Sequence, residues 1–410
     1  MKTCILTTRK EHEGSALVLV LWIVVLLTVI TAVLARTSRL DSRISGVSAD
    51  HIRCKWASRA GLETAIAVLN DDDTSSDCLV DLWYDNDTDF NSIPLEGCTF
   101  TVQVIDESGK LNINIASFDQ LITLPDMTED IANSIIDWRD KDDKIKPGSA
   151  EAGYYINLPH PYTIRNKSFR TVRELLLVKG IDPYLLYGPE KYPQSVGIEY
   201  SEENSGWINY LTCYSFENNR NADGSERVNI NSASEGKLKS DLDLNDANAK
   251  WIVQNRDDGF KSIGDLLPDK NGDTSNGASP PNLKTVLSIA DKITVVDNPK
   301  LVGRVNINTA PLEVLTALLE DREDIAEDII LYRAGQLDGI TSLSDLSDIS
   351  SLKKSSIKKI IDLVTVRSAI FTIYSHANAD QTGARSTLEA VVNRNSSPVN
   401  ILYMRTGVMN

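Results

Sequence analysis

An α+β fold, in which one long N-terminal helix meets a small antiparallel sheet and a large all-helical region is inserted into that sheet, follows from three features of this 410-residue chain. A single long apolar run opens it. Strand-like alternation occurs before residue 110 and resumes only after residue 368, and a three-fold repeat with helical spacing fills the interval.

The apolar run is the first element. Ser15 to Ala35 are 21 uncharged residues, preceded by a short charged segment ending in Gly14 and followed by Arg36. As a helix this run is about 31 Å long, enough to cross the roughly 30 Å hydrocarbon core of a bilayer. Three readings differ in where the chain is cut: a leader removed after Gly14, an uncleaved anchor, or a secretory signal ending at the small residues near Val33 and Ala35. Flanking charge does not orient the span, because Lys2, Arg9 and Lys10 are balanced by Arg36, Arg39 and Arg43.

Beyond Arg36 the apolar positions Val47, Ile52, Trp56, Ala60, Leu62, Ala65, Ile66 and Leu69 extend the helix onto a globular head, and Asn70 to Asp73 end it. Cys98 to Ile105 alternates, with Phe100, Val102 and Val104 on one face, as a half-buried strand does. Ala369 to Ala377, Thr387 to Asn393 and Val399 to Arg405 have the same pattern. These strands belong to one sheet split by the insertion.

Inside the insertion the words Asn112-Ile113-Asn114, Asn229-Ile230-Asn231 and Asn306-Ile307-Asn308 recur in one register. Offset 4 from the first asparagine is alanine (116, 233, 310), offset 9 leucine (121, 238, 315) and offset 20 alanine (132, 249, 326). Offset 23 is isoleucine (135, 252, 329) and offset 27 is Arg139, Arg256 or Arg333. A closing word follows at Phe169 to Leu175, Phe260 to Leu266 and Ile340 to Leu346, each with an acid before its leucine. The arginine lies 30, 4 and 7 residues before that word, so insertions are confined to one loop. The asparagines are expected to cap the first helix of each unit, and the arginines, each at a helix end, to satisfy carbonyls or pair with an adjacent acid rather than contact a partner.

Composition narrows function. A formal net charge of -16 opposes a nucleic-acid partner unless a basic face is segregated, and none is evident. The four histidines, His12, His51, His160 and His376, lie in no metal or nucleophile motif, and no phosphate-binding loop, dinucleotide fingerprint or serine elbow occurs, so an enzyme is not expected. The acidic run Asp137, Asp140, Asp142 and Asp143, with Glu151 beyond it, is either a solvated loop or a set of oxygen ligands for calcium, which takes six to eight oxygens in flexible geometry. Asp269, Asn271 and Asp273 form a weaker candidate of the same kind. Cys78 and Cys98 would clip the loop before the first long strand in an oxidising compartment, with free buried thiols as the other reading.

The run from Gly14 to Trp22 resembles the start of the type II secretion minor pseudopilin K. Most pilins carry glutamate at the fifth mature position, whereas here it is Leu19, as in the K subunits. Asn112 to Ser117, Phe169 to Gly180 and Asn306 to Pro311 are similar to that family's helical region, and the middle copy at Asn229 departs from it. The resemblance implies a pilin-like sheet and cleavage and methylation at Gly14 and Ser15 by the prepilin peptidase. It also implies a single inner-membrane pass with the body in the periplasm, and assembly with minor pseudopilins I and J at the pseudopilus tip, with contact to the secretin or exported substrate. For the run Asp137 to Asp143 it implies calcium. The expected divisions are a leader over 1–14, a span over 15–36, helix and first strands over 37–111, helical units over 112–190, 191–298 and 299–366, and closing strands over 367–410. The units also resemble helix-hairpin-helix (SAM-like) modules, which leaves a DNA-binding protein of an uptake system as the alternative. Against that, the hairpins are acidic: Asp126, Glu129 and Asp130 in the first, Asp241 to Asp246 and Glu320 to Asp324 in the others.

Overall fold

The computed structural model describes residues 13–189, 191, 204–270, 272–396 and 398–407. Helix α1 (Glu13–Asp71) is continuous over 59 residues. Every residue from 16 to 49 is exposed, so the apolar half has no protein around it. At Asp50 the helix meets the head, and Cys54, Ala57, Ser58, Leu62, Ala65 and Leu69 are buried at three- and four-residue spacing. Val47, Ile52 and Trp56, expected on the packed face, are exposed instead (Trp56 68%). The contact face is set by small residues that admit the sheet. A Cβ on Gly61 would lie 2.4 Å from Ser375 Oγ and 2.9 Å from Phe100, which only a glycine avoids.

The chain then forms α2 (Asp87–Phe90), capped by Asn86, which presses Phe90 into the sheet core beside Trp83. A short edge strand β1 (Ile93–Leu95) pairs with β2 (Cys98–Asp106). In β2 Cys98, Phe100, Val102, Val104 and Asp106 are all buried, which is the expected alternation.

Each helical unit begins on a two-residue strand and returns beside it. In the first, β3 (Leu111–Asn112) leads to α3 (Phe118–Ile122), α4 (Glu129–Arg139), α5 (Ala152–Ile156) and α6 (Pro183–Tyr187), and ends at β4 (Leu211–Thr212), parallel to β3. A linking strand β5 (Phe216–Asn218) precedes the second unit. That unit runs from β6 (Val228–Asn229) through α7 (Glu235–Leu242), α8 (Asp246–Gln254) and α9 (Leu283–Ile289) to β7 (Ile293–Thr294), parallel to β6. Then β8 (Lys300–Val302) pairs back with β5. The third unit repeats the plan with β9 (Val305–Asn306), α10 (Leu312–Leu318), α11 (Glu323–Ala334), α12 (Lys354–Ile360) and β10 (Val364–Thr365). A short 3₁₀ helix at 172–177, 263–266 or 343–348 begins within the closing word of each unit.

After the insertion, β11 (Ile370–Ala379) lies antiparallel to β2, from Phe371 opposite Asp106 to Ala379 opposite Cys98. β12 (Arg385–Asn393) and β13 (Asn400–Gly407) complete the antiparallel order β1-β2-β11-β12-β13. Two strands adjacent in space are thus separated in sequence by all three units. The sheet and α1 share one core, and the three units share another that runs continuously from Leu111 to Val366.

Candidate functional site

The columns of the repeat are hydrogen-bonding positions. The third residue of each asparagine word forms a two-way clasp with the first residue of the closing word. Asn114 accepts from Phe169 N at 2.7 Å, Asn231 from Phe260 N at 2.7 Å and Asn308 from Ile340 N at 2.8 Å. Each donates Nδ2 to the same residue's carbonyl, at 3.1, 2.9 and 2.9 Å. Each leading asparagine turns its Oδ1 onto the amide two residues on, so it shapes the strand-to-helix turn. The expected helix-capping role therefore passes to other residues: Ser117 caps α3 and Ser234 caps α7. The arginines behave as expected. Arg139 donates to the carbonyls of Ile113 and Ala116, Arg256 to Ile230 and Ala233, and Arg333 to Ile307 and Ala310. Burial pulls Arg333 down to about 10. The acid before each leucine accepts amides at the start of its own turn, as Glu174 does from Arg170 and Asp345 from Thr341 and Ser342.

In the acidic loop of the first unit, Asp137 comes from the last turn of α4, Asp140 caps that helix and Glu151 precedes α5. Asp137 is fully buried and accepts from Lys146 N at 3.0 Å, from Lys146 Nζ and from Ser149 Oγ. Lys146 Nζ also reaches Asp140 Oδ2 at 2.9 Å, and its pKa is raised: burial opposes its charge, but these two carboxylates override burial. Asp142 is exposed and caps Lys144 N, while Asp143 accepts from Asn166 Nδ2 at 3.1 Å. Four buried oxygens here have no hydrogen-bond donor: Asp140 Oδ1, both oxygens of Glu151 and Asn166 Oδ1. Burial, and then the charges of Asp137, Asp140 and Asp143, push Glu151 up to about 7. Unpaired buried oxygens beside excess negative charge suit a hard cation, but among the described residues no three carboxylates of this loop bring ligand atoms within 4.8 Å of one another. Asp142 turns its carboxylate onto Lys144 N, while its carbonyl accepts from Asn166 Nδ2 at 3.4 Å. Of the weaker candidate, Asn271 lies outside the described residues, Asp269 pairs with Lys358 and Asp273 caps Ser275.

Sequence reasoning missed a second acidic group, Asp72, Asp77 and Asp81, whose ligating oxygens lie within 4.8 Å of one another. It is already satisfied. Arg394 donates to Asp72 and Asp77 at 2.7 Å, Ser368 N to Asp77 at 2.7 Å, and Cys78 N to Asp81 at 2.7 Å. Burial pushes Asp77 up to about 7, against the pull of Arg394. This group is a structural clasp joining the end of α1 to the end of β12, near the point where the insertion rejoins the sheet.

The expected Cys78–Cys98 pairing is not made. Cys78 Sγ rests on Asp81 Oδ1 at 3.1 Å, whereas Cys98 Sγ lies 3.4 Å from Cys54 Sγ. Sequence spacing could not register α1 against β2, so Cys54 was not a candidate partner. The expected cleavage positions Gly14 and Ser15 fall in the first turn of α1, and residues 1–12 lie outside the described residues.

A bare helix long and apolar enough to cross a membrane, continuing into a head whose five-stranded antiparallel sheet is opened by helical units, is a protein of pilin-like build. Models of type II secretion system protein K match residues 100–188 and 305–367. These two matches support the reading of the chain as a type II secretion system protein K, a minor pseudopilin of protein secretion. The fold is similar to a chain in the crystal structure of the GspK-GspI-GspJ complex from enterotoxigenic Escherichia coli Type 2 Secretion System. That match has a TM-score of 0.51 at 13% identity and covers 89% of this chain and 99% of that one. No curated protein is a significant sequence match. The matched segments lie on the first and third helical units, and neither spans 189–304, which contains the whole middle unit, 228–294.

Proposed function

We propose that this protein closes the tip of a type II secretion pseudopilus and has a structural rather than catalytic role. The observation that carries this reading is the interruption of the sheet: three helical units stand between β2 and β11, on a stalk that is bare as far as residue 49. Helical assembly gives every subunit the same neighbours above and below. A head enlarged by three units would collide with copies of itself, so it fits at an end. Leu19 in place of the usual glutamate supports the same position, because a subunit with none above it has no neighbour's terminal ammonium to neutralise.

In this reading the leader is removed between Gly14 and Ser15 by the prepilin peptidase, which methylates the new terminus, and the head stands in the periplasm on a single inner-membrane helix. Its partners are the I and J minor pseudopilins, named in the solved complex it resembles, with the secretin or exported substrate beyond the tip. Asp140, Asn166 and Glu151, whose oxygens lack donors, would hold calcium in the first unit, with Asp137 and Asp143 adding negative charge beside them. Nucleic acid is not a partner. The residues at the helix-to-helix turns that take left-handed backbone are acids, Asp126, Asp243, Glu320 and Asp321, and they would repel a phosphate approaching those turns.

Mass spectrometry of the membrane-extracted protein together with its co-purifying chains tests this reading. A mature terminus at Ser15 and recovery of the I and J subunits are expected. An intact Met1, or a start near Arg36 with neither partner, contradicts it.

A further inference from the structure

Two of the cysteines meet where the stalk joins the head. Cys54 lies on the first buried turn of α1, one turn beyond Asp50, where the helix ceases to be exposed. Cys98 is the first residue of β2 and is paired across the sheet with Leu95 on one side and Ala379 on the other. Both are essentially fully buried, and their sulfurs are 3.4 Å apart. Cys54 Sγ also lies 3.3 Å from the carbonyl of Ala384, beside the turn that links β11 to β12. The other described thiols are placed elsewhere: Cys78 is held by Asp81, and Cys213 follows β4 in the helical region.

We propose that Cys54 and Cys98 are joined by a disulfide in the mature protein, fastening the stalk helix to the first long strand of the head. The inference rests on the proposed periplasmic position of the head, since such bonds persist in oxidising compartments. Rotation of the two side chains closes the gap to the about 2.05 Å of a sulfur–sulfur bond. The oxidant is a disulfide-bearing oxidoreductase of that compartment. One cysteine thiolate attacks the oxidant's disulfide, forming a mixed disulfide and expelling one oxidant thiolate. The second cysteine then attacks that mixed disulfide, so that the Cys54–Cys98 bond forms and the oxidant leaves as a dithiol, carrying the two electrons and two protons. In the folded state burial pushes the Cys54 thiol up to about 12, which leaves little thiolate, so the exchange precedes docking of α1 on the sheet. The bond has a mechanical consequence. Force applied to the membrane helix reaches the sheet through a covalent link as well as through packed side chains.

The full-length protein, extracted from membranes with free thiols alkylated at lysis, provides the test. Trypsin releases Cys54 with Lys55, and a glutamyl endopeptidase cutting after Glu96 separates Cys78 from Cys98. The expected result is a non-reduced fragment joining Cys54-Lys55 to Gly97–Glu107, two hydrogens lighter than the sum of its parts, which disappears on reduction. Protease added to spheroplasts, whose outer membrane is opened and inner membrane intact, reports the position of the head in parallel. Alkylated Cys54 and Cys98 in a head open to that protease overturn the disulfide and leave the localisation standing. A bond from either cysteine to Cys78 also overturns it. A head shielded from the protease, with both thiols free, overturns the localisation and the disulfide with it.

Discussion

Replacing Asn308 by alanine removes the clasp that closes the third unit. Asn308 is 2% exposed, and its amide both accepts from Ile340 N at 2.8 Å and donates to Ile340 O at 2.9 Å. Ile340 is itself fully buried, so truncation leaves one amide and one carbonyl with neither a protein partner nor water. An unsatisfied buried polar group costs about 1–3 kcal/mol, so the pair costs about 2–4 kcal/mol if the loop relaxes in part. The same substitution at Asn114 or Asn231 should cost less, because their clasps are partly exposed. Hydrogen exchange read by mass spectrometry on the detergent-solubilised protein reports the opening of residues 340–346 directly. At about 1.4 kcal/mol per factor of ten, Asn308→Ala should speed exchange at Ile340 roughly thirty- to a thousand-fold. Asn221→Ala, whose half-buried side chain bonds Ser225 within its own turn, should leave it unchanged. If Asn308→Ala behaves like Asn221→Ala, the repeated asparagine is not what closes the units, and the physical meaning assigned to the repeat is wrong.

Glu151 and Asp77 carry folded-state pKa values raised to about 7, so their contribution to stability is fully present below the unfolded carboxylate values and is lost as pH rises through 7. For Glu151 the melting temperature in chelator should rise as pH falls from about 7.5 toward 5. Calcium at neutral pH should raise it too, and Glu151→Gln should weaken both responses; no rise with calcium removes the cation reading. Gly61→Val places carbon against Ser375, Phe100 and Val102 and should cost about 1–3 kcal/mol by overpacking, seen as a lower midpoint in urea; an unchanged midpoint would show that the stalk does not press on the sheet. Gly264→Ala sets a Cβ 2.2 Å from the carbonyl of Lys358 and should prise the second unit from the third, exposing the 262–266 turn to protease; resistance equal to the parent refutes that contact.

Elements set by local periodicity were legible from the residues. β2 shows its alternation because one face meets α1 and the helical repeat shows its columns because each unit solves the same packing problem. That these strands form one split sheet was legible as well, whereas their order and register, and the edge strand β1, came only from the structure. Positions fixed by contacts between distant segments were not. Cys54 became visible as the neighbour of Cys98 only once α1 was laid across the sheet, and the exposure of Trp56 follows from the same docking. The asparagine column was found, but its role was assigned from helix-capping preference. A side chain that bridges 55 residues to Phe169 leaves no local trace in sequence. In the acidic loop the type of residue pointed to oxygen ligands. Which oxygens lack donors depends on where Lys146, Ser149 and Asn166 fall, and their spacing from Asp137 has no regular period.

The central claim is positional: this subunit ends the filament. Cryo-electron microscopy of pseudopili assembled with a tagged head on residue 337, in the exposed turn after α11, tests that claim most directly. The account predicts a single label at one extremity of each fibre. Labels repeating at regular intervals along the shaft would contradict it.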